Sequence, residues 1–164
     1  MSLDELLNQA GGFAELFRQA RESGANPEEE VQRALRADSA LFKMVGCTVL
    51  KIGEGIVELS FPFSRAVSRR GGMVHGGVTM YTLDSVCGLA AMTVNSGLDQ
   101  LTLEISVSFL EPLRKGPFVA RGTIVRSGSA TAVAEGEIRD ADGRLCAKSL
   151  GTYYLTGRRK RKKP

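Results

Sequence analysis

The run GGVTMYTLDSVCGLAAMTVNSGLDQLTLEISVSF, residues 76–109, decides how the chain folds. Its first part carries Val78, Met80, Tyr81, Leu83, Val86, Cys87, Leu89, Ala90, Ala91, Met92 and Val94, which fall on nearly every side of a helix over 76–95. A helix that is apolar all round must be enclosed by protein. The second part alternates, with Leu101, Leu103, Ile105, Val107 and Phe109 on one face and Thr102, Glu104, Ser106 and Ser108 on the other. That period of two predicts a half-buried antiparallel strand. Working outward, residues 44–51 and 55–63 read as a strand pair across Gly53-Glu54-Gly55. Further strands follow at 117–126, 130–139 and 144–155, with turns at 114–116, 127–129 and 140–143.

Ahead of the strands, Leu3, Leu6, Leu7, Ala10, Phe13, Ala14, Phe17 and Ala20 recur at helical spacing, weakened in the middle by Gly11-Gly12. Asn26-Pro27-Glu28-Glu29 announces a second helix, with a cap, a first-turn proline and acids at the positive end of the dipole. Its apolar stripe runs through Val31, Ala34, Leu35, Leu41 and Phe42. The order is helices, two strands, one long helix, four strands. This segregation predicts an α+β fold with a mostly antiparallel sheet and disfavours a doubly wound nucleotide fold. A sheet wrapped around the long helix encloses most of it, and a partner subunit supplies the remaining cover. The chain divides into an N-terminal helical extension (1–41), an α+β domain (42–156) and a basic tail (157–164).

Composition narrows the function classes. With 164 residues, 43% hydrophobic and 24% charged, the chain is neither collagenous, disordered nor a disulfide scaffold. The pI of about 9.1 is misleading. Arg158 to Lys163 hold six of the 22 basic residues, leaving 16 against 18 acidic ones. A terminal charge run is by default a solvated tail, residues 1–40 are net acidic, and no basic recognition helix is evident, so nucleic-acid binding is not expected. Cys47, Cys87 and Cys146 are odd in number and form no CxxC pair, which points to a reduced, cytoplasmic setting. His75 is the sole histidine, which excludes a multi-histidine metal centre. Acidic Asp4 and Glu5 have the wrong sign for a signal peptide, and His75 and Asp84 interrupt the most apolar stretch, so no membrane span is expected.

Two features of the long helix carry chemistry. Asp84 lies in its middle, where a carboxylate is costly to desolvate unless it is bonded, paired or on a cleft wall. A bond to Thr82 or Ser85, exposure to solvent, and a catalytic role all fit the spacing. His75-Gly76-Gly77 opens the helix, and its first-turn N–H groups form a site for a polarised carbonyl or oxyanion. An ordinary loop-to-helix junction fits equally well. Asp84 follows Gly76 by eight residues, about 12 Å along one helix. One small carbonyl group cannot contact both in one chain. If both act on one substrate, a second subunit brings its Asp84 to the first subunit's Gly76, which predicts a homodimer with two shared sites. Cys87 has no second histidine to activate it and reads as packing.

The run Gly72 to Asp84, the strand Leu101 to Phe109 and Glu111-Pro112 together resemble the hotdog-fold acyl-CoA thioesterases of the PaaI-like branch, over residues 42–156. The resemblance implies a long helix wrapped by an antiparallel sheet and dimers with two interfacial sites, extended to a dimer of dimers (a homotetramer). It implies an acyl-CoA substrate, with coenzyme A entering only as part of that substrate and no other cofactor. Asp84 corresponds to the catalytic carboxylate, as general base or nucleophile. Gly76 supplies the N–H that polarises the thioester carbonyl, His75 shapes the loop, and Thr102 positions water or substrate. Arg69, Gly77, Met80, Arg126, Ser127 and Gly128 fall at substrate-binding positions. Two departures stand out: Arg69 replaces an Asn found in many members, and Ser129 follows Gly128 where a cation is common. Arg114, Lys115 and Lys148 fit CoA phosphates or ordinary surface cations. Met73, Met80, Met92, Tyr81 and Phe109 fit an acyl tunnel or the core. A dehydratase cousin would need an HFPG-like segment, which is lacking. A non-catalytic acyl-CoA sensor is the alternative function.

Overall fold

The computed structural model describes residues 1–94 and 99–156. The basic tail lies outside the described residues. Four short helices come first: α1 (Leu3–Ala10), α2 (Phe13–Ser23), α3 (Pro27–Asp38) and α4 (Ala40–Val45). Strands β1 (Thr48–Gly53) and β2 (Ile56–Phe61) follow, then a small hairpin of β3 (Ser68–Arg69) and β4 (Met73–Val74). The long helix α5 (Gly76–Met92) precedes β5 (Asp99–Phe109), β6 (Phe118–Ser127), β7 (Thr131–Arg139) and β8 (Leu145–Thr156). Six strands form one antiparallel sheet in the order β1-β2-β6-β7-β8-β5, wrapped on α5.

The sheet can close on α5 because β6 and β7 carry glycines where the helix crosses. A Cβ at Gly122 would lie 2.5 Å from the Val86 carbonyl oxygen, and one at Gly136 would lie 2.9 Å from Cys87 Sγ. The helix therefore sits directly on the backbone of the central strands. Leu83, Val86, Cys87 and Ala90 are fully buried there, together with Phe118, Ala120, Ala134 and Ile138. No helix among the described residues is long and apolar enough to cross a membrane.

The N-terminal helices share this core through Leu7, Val31 and Phe42, which are almost completely buried. Helix α3 also lies along β1. Gln32 accepts from the Val49 N–H at 2.7 Å and donates to the Cys47 carbonyl at 3.0 Å, and Glu28 accepts from the Ile52 N–H at 3.3 Å. Polar side chains of the extension thus occupy backbone groups beside β1, which among the described residues has one strand neighbour, β2. At the opposite edge, no described element pairs with β5 beyond β8, and Leu101, Leu103 and Phe109 are more than half exposed.

Several sequence expectations are corrected. The helix expected over 3–20 is two helices, because Gly11 and Gly12 take positive φ angles of 91° and 108° that interrupt it. The second helix breaks at Ser39, whose side chain caps α4 by accepting from the Phe42 N–H. Leu41 consequently turns outward and is 40% exposed. The first strand begins at Thr48 and not at 44, since α4 runs on to Val45. Helix α5 ends at Met92 and not at 95, where Thr93 caps it by donating to the Ala90 carbonyl.

The most consequential correction concerns β5. Its pairing with β8 slips between Thr102 and Glu104, so Leu103 is an extra, bulged residue. Thr102 pairs with Tyr153, which is fully buried, while Leu101 pairs with the exposed Tyr154. Leu101 and Phe109 therefore face opposite sides, and Thr102 turns inward towards α5. A bulge that re-aims one side chain beside a site is a familiar device.

Candidate active site

The first cluster forms at the start of α5. The loop before it is pinned by His75 N–H donating to the Val67 carbonyl at 2.8 Å and by Val74 N–H donating to the Leu113 carbonyl at 2.9 Å. His75 is the N-cap: its Nδ1 accepts from the Gly77 N–H at 3.0 Å, so the ring proton resides on Nε2. The capping bond uses Gly77 and leaves Gly76. Among the described residues, the Gly76 N–H has no acceptor. It stands at the positive end of the helix dipole, aimed out of the first turn.

Gly76 opens on a cleft of about 340 Å³ lined by Arg69, Met73, Thr79, Phe109 and Leu113, among others. The edge of the Phe109 ring would lie 3.5 Å from a Cβ at Gly76, so the aromatic wall comes close to the free N–H. Arg69, in β3, brings a cation into the same cleft, its guanidinium 3.8 Å from Met73 Sδ. Met80, one turn along α5, is 44% exposed.

The second cluster lies two turns further on. Thr102 Oγ1 donates to Asp84 Oδ1 at 2.9 Å, and the Tyr153 hydroxyl donates to the same oxygen at 3.3 Å. Oδ2 takes no bond from the described residues. Asp84 is half-buried, not enclosed as its apolar helix suggests: its flank lies on the open side of the subunit. Neither Thr82 nor Ser85 is its partner. Thr82 donates back along the helix to the Val78 carbonyl.

Tyr153 is the residue that sequence reasoning missed. A signal existed: Ser149, Gly151, Tyr153 and Leu155 alternate inward along β8, and a buried tyrosine needs a partner for its hydroxyl. Burial, together with the neighbouring Cys87 and Asp84, pushes its phenol well above the usual range, so it serves as a neutral donor. Burial also pushes the Cys87 thiol up to about 12, which matches its reading as packing.

Gly76, Gly77, His75 and Arg69 form one cluster, and Asp84, Thr102 and Tyr153 form the other. Both sit on one continuous helix, about 12 Å apart along its axis. Arg126, Ser127 and Gly128 belong to neither. Their hairpin lies in the row Thr102–Tyr153–Ala132–Ser127 across β5, β8, β7 and β6, three strand spacings or about 14 Å from Thr102. Of the other cations, Lys115 pairs with Asp142 at 2.7 Å, Lys148 lies 3.6 Å from Glu135, and Arg114 donates to the Gly71 carbonyl. Met92 and Tyr81 are core or half-buried residues, Tyr81 lying 3.5 Å from the Ser39 hydroxyl.

The model of the thioesterase superfamily matches residues 71–147, the span from the β3–β4 turn into β8. The "Putative esterase SSO2140" of Saccharolobus solfataricus is 38% identical over 130 residues, which cover 79% of this chain and 93% of that one. The crystal structure of thioesterase HI1161 from Haemophilus influenzae superposes with a TM-score of 0.73 at 25% identity, covering 83% of this chain and 94% of that one. The E. coli PaaI protein from the phenylacetic acid degradation operon shares the fold, with a TM-score of 0.69 at 22% identity over 76% of this chain and 90% of that one. The chain belongs to the thioesterase superfamily and is a thioester hydrolase of the hotdog fold.

Proposed function

We propose that the protein hydrolyses acyl-CoA thioesters at a site built from Gly76 of one subunit and Asp84 of a second. One observation carries this reading: an unspent N–H and a half-free carboxylate lie on the same helix, about 12 Å apart, on the open side of the subunit. The unpaired, apolar edge of β5 supports assembly through that side. The complete enzyme is then a homodimer, assembled further as a dimer of dimers.

The thioester carbonyl oxygen accepts from Gly76 N–H, where the dipole favours the charge that develops on it. Asp84 Oδ2 takes a proton from a water molecule whose oxygen bonds to the carbonyl carbon. The tetrahedral intermediate collapses with cleavage of the C–S bond, and the CoA thiolate takes the proton back from Asp84. In the nucleophilic variant, Oδ2 itself bonds to the carbonyl carbon, the C–S bond breaks to release the CoA thiolate, and water attacking Cγ of the mixed anhydride frees the acid, with one proton passing to the thiolate. A single turnover in 18O water separates the two, since only the second puts the label into Asp84. His75 keeps Gly76 free by capping Gly77, and Thr102 fixes the carboxylate. Arg69 faces a polar or anionic group in the cleft, and Met80 and Gly77 flank the acyl group. The hairpin 126–128 is the contact for the CoA nucleotide, and no cofactor beyond the CoA of the substrate is required. Three free, buried cysteines support a cytoplasmic setting.

The test is thiol release from a panel of acyl-CoAs by the wild type and Asp84→Ala. Loss of turnover with Asp84→Ala is expected. Equal rates would overturn the mechanism, and binding without turnover by the wild type would favour an acyl-CoA sensor.

A further inference from the structure

We propose that Tyr153 is a positioning residue for Asp84, holding Oδ1 so that Oδ2 is the oxygen presented to the reacting thioester. This rests on the hydrolytic role of Asp84 proposed above. Thr102 and Tyr153 are direct partners across β5 and β8, so their side chains leave the sheet side by side on its inner face. Both hydroxyls converge on Oδ1, at 2.9 and 3.3 Å, and the other carboxylate oxygen takes no bond from the described residues. Two donors anchored in two strands fix the plane of a carboxylate more firmly than one, because rotation about χ2 would break both bonds together.

The surroundings of the phenol fit this task. Its side chain is fully buried, so the hydroxyl has no water to fall back on. A Cβ at Gly151 would lie 2.9 Å from the phenol oxygen and 3.0 Å from Cε2, so glycine there leaves the ring the space to reach Asp84. Cys87, on the next turn of α5, lies beside the phenol as a neutral thiol, without the charge that would compete for the donor. A buried tyrosine needs a partner for its hydroxyl, and here that partner is the carboxylate that the proposed reaction uses.

Tyr153→Phe keeps the ring and removes only the donor. The expected result is a kcat about tenfold lower with KM within twofold of the wild type, because the lost bond is to a charged group that acts in the transition state. An unchanged kcat, or a rise in KM alone, would overturn the proposal. A second measurement does not depend on turnover. The chain has three tyrosines, so 13Cζ labelling gives few signals, and Tyr81→Phe and Tyr154→Phe identify the other two and leave that of Tyr153. Replacing the acceptor with Asp84→Asn is expected to move the Tyr153 signal and leave that of the exposed Tyr154 in place. A stationary Tyr153 signal overturns the proposal, and this arm decides it if Tyr153→Phe fails to fold. A wild type inactive on every thioester, with the Tyr153 signal still responsive, marks failure of the hydrolytic reading and not of the contact.

Discussion

Subunit complementation tests the shared site most directly. Gly76→Pro removes the N–H that faces the carbonyl and little else. Gly76 is the first residue of α5, where proline is tolerated, and His75 before it has φ −67° and ψ 136°, the extended backbone that a following proline requires. A Cβ at this position meets the Phe109 ring at an ordinary 3.5 Å. Loss of one such donor lowers kcat by about 10²–10³-fold. Asp84→Ala removes the carboxylate, so each homodimer lacks one half of both sites. In a heterodimer of the two variants, one site joins an intact Gly76 to an intact Asp84, and the other carries both lesions. A refolded equimolar mixture therefore regains roughly one quarter of wild-type activity, and a heterodimer purified on two tags roughly one half. Thiol release measures both. A heterodimer no faster than the sum of its parents would mean that the two groups act within one chain, and the 12 Å argument would fail.

Gly122→Ala forces a Cβ to 2.5 Å from the Val86 carbonyl, a backbone atom that cannot swing aside, so urea denaturation should show a loss of about 1–3 kcal/mol. Gln32→Ala strips the Val49 N–H of its side-chain partner, leaves the Cys47 carbonyl with only the longer bond from Arg36 at 3.4 Å, and should lower stability by about 1–3 kcal/mol, visible as a lower denaturation midpoint with an unchanged slope. Alkaline pH is a further probe. Burial pushes the Cys47 and Cys87 thiols from 9.0 up to about 12, so the folded state keeps protons that the unfolded chain releases. Their stabilising contribution is complete below pH 9 and is lost as pH rises through 9–12. The double variant Cys47→Ala, Cys87→Ala should lose less stability than the wild type between pH 8 and 10.5, and parallel losses would contradict the assignment.

The long helix and the antiparallel sheet wrapped on it were legible because apolar residues on every side of one helix leave few ways to bury it. The proposed pairing of Gly76 with a second subunit's Asp84 rests on helix rise and on the condition that both groups act on one substrate. The inward turn of Thr102 was not legible. Its sequence context alternates without interruption from Leu101 to Phe109, and only the pairing with β8 reveals that Leu103 is surplus. A bulge is a property of two strands, and a single-strand pattern cannot show it. The resemblance singled out Thr102 although the alternation put it on the polar face, and the bulge reconciles the two. Tyr153 was within reach of strand parity, but its acceptor lies 69 residues away on another element. The boundary at 44–48 was ambiguous because Phe42 and Val45 suit a buried helix end as well as a strand.

The unequal treatment of the two sheet edges has a consequence for assembly size. A strand edge left open at both ends of a sheet can add copies without limit, as fibrils do. Here β1 is occupied by Gln32 and Glu28 from the chain's own α3, and among the described residues β5 is the edge left available. Pairing β5 with the β5 of a second copy uses the last open edge of both molecules. If two copies assemble in this way, growth along the sheet terminates at two subunits, and the N-terminal helices, by covering β1, serve as a stop on polymerisation as well as a part of the core.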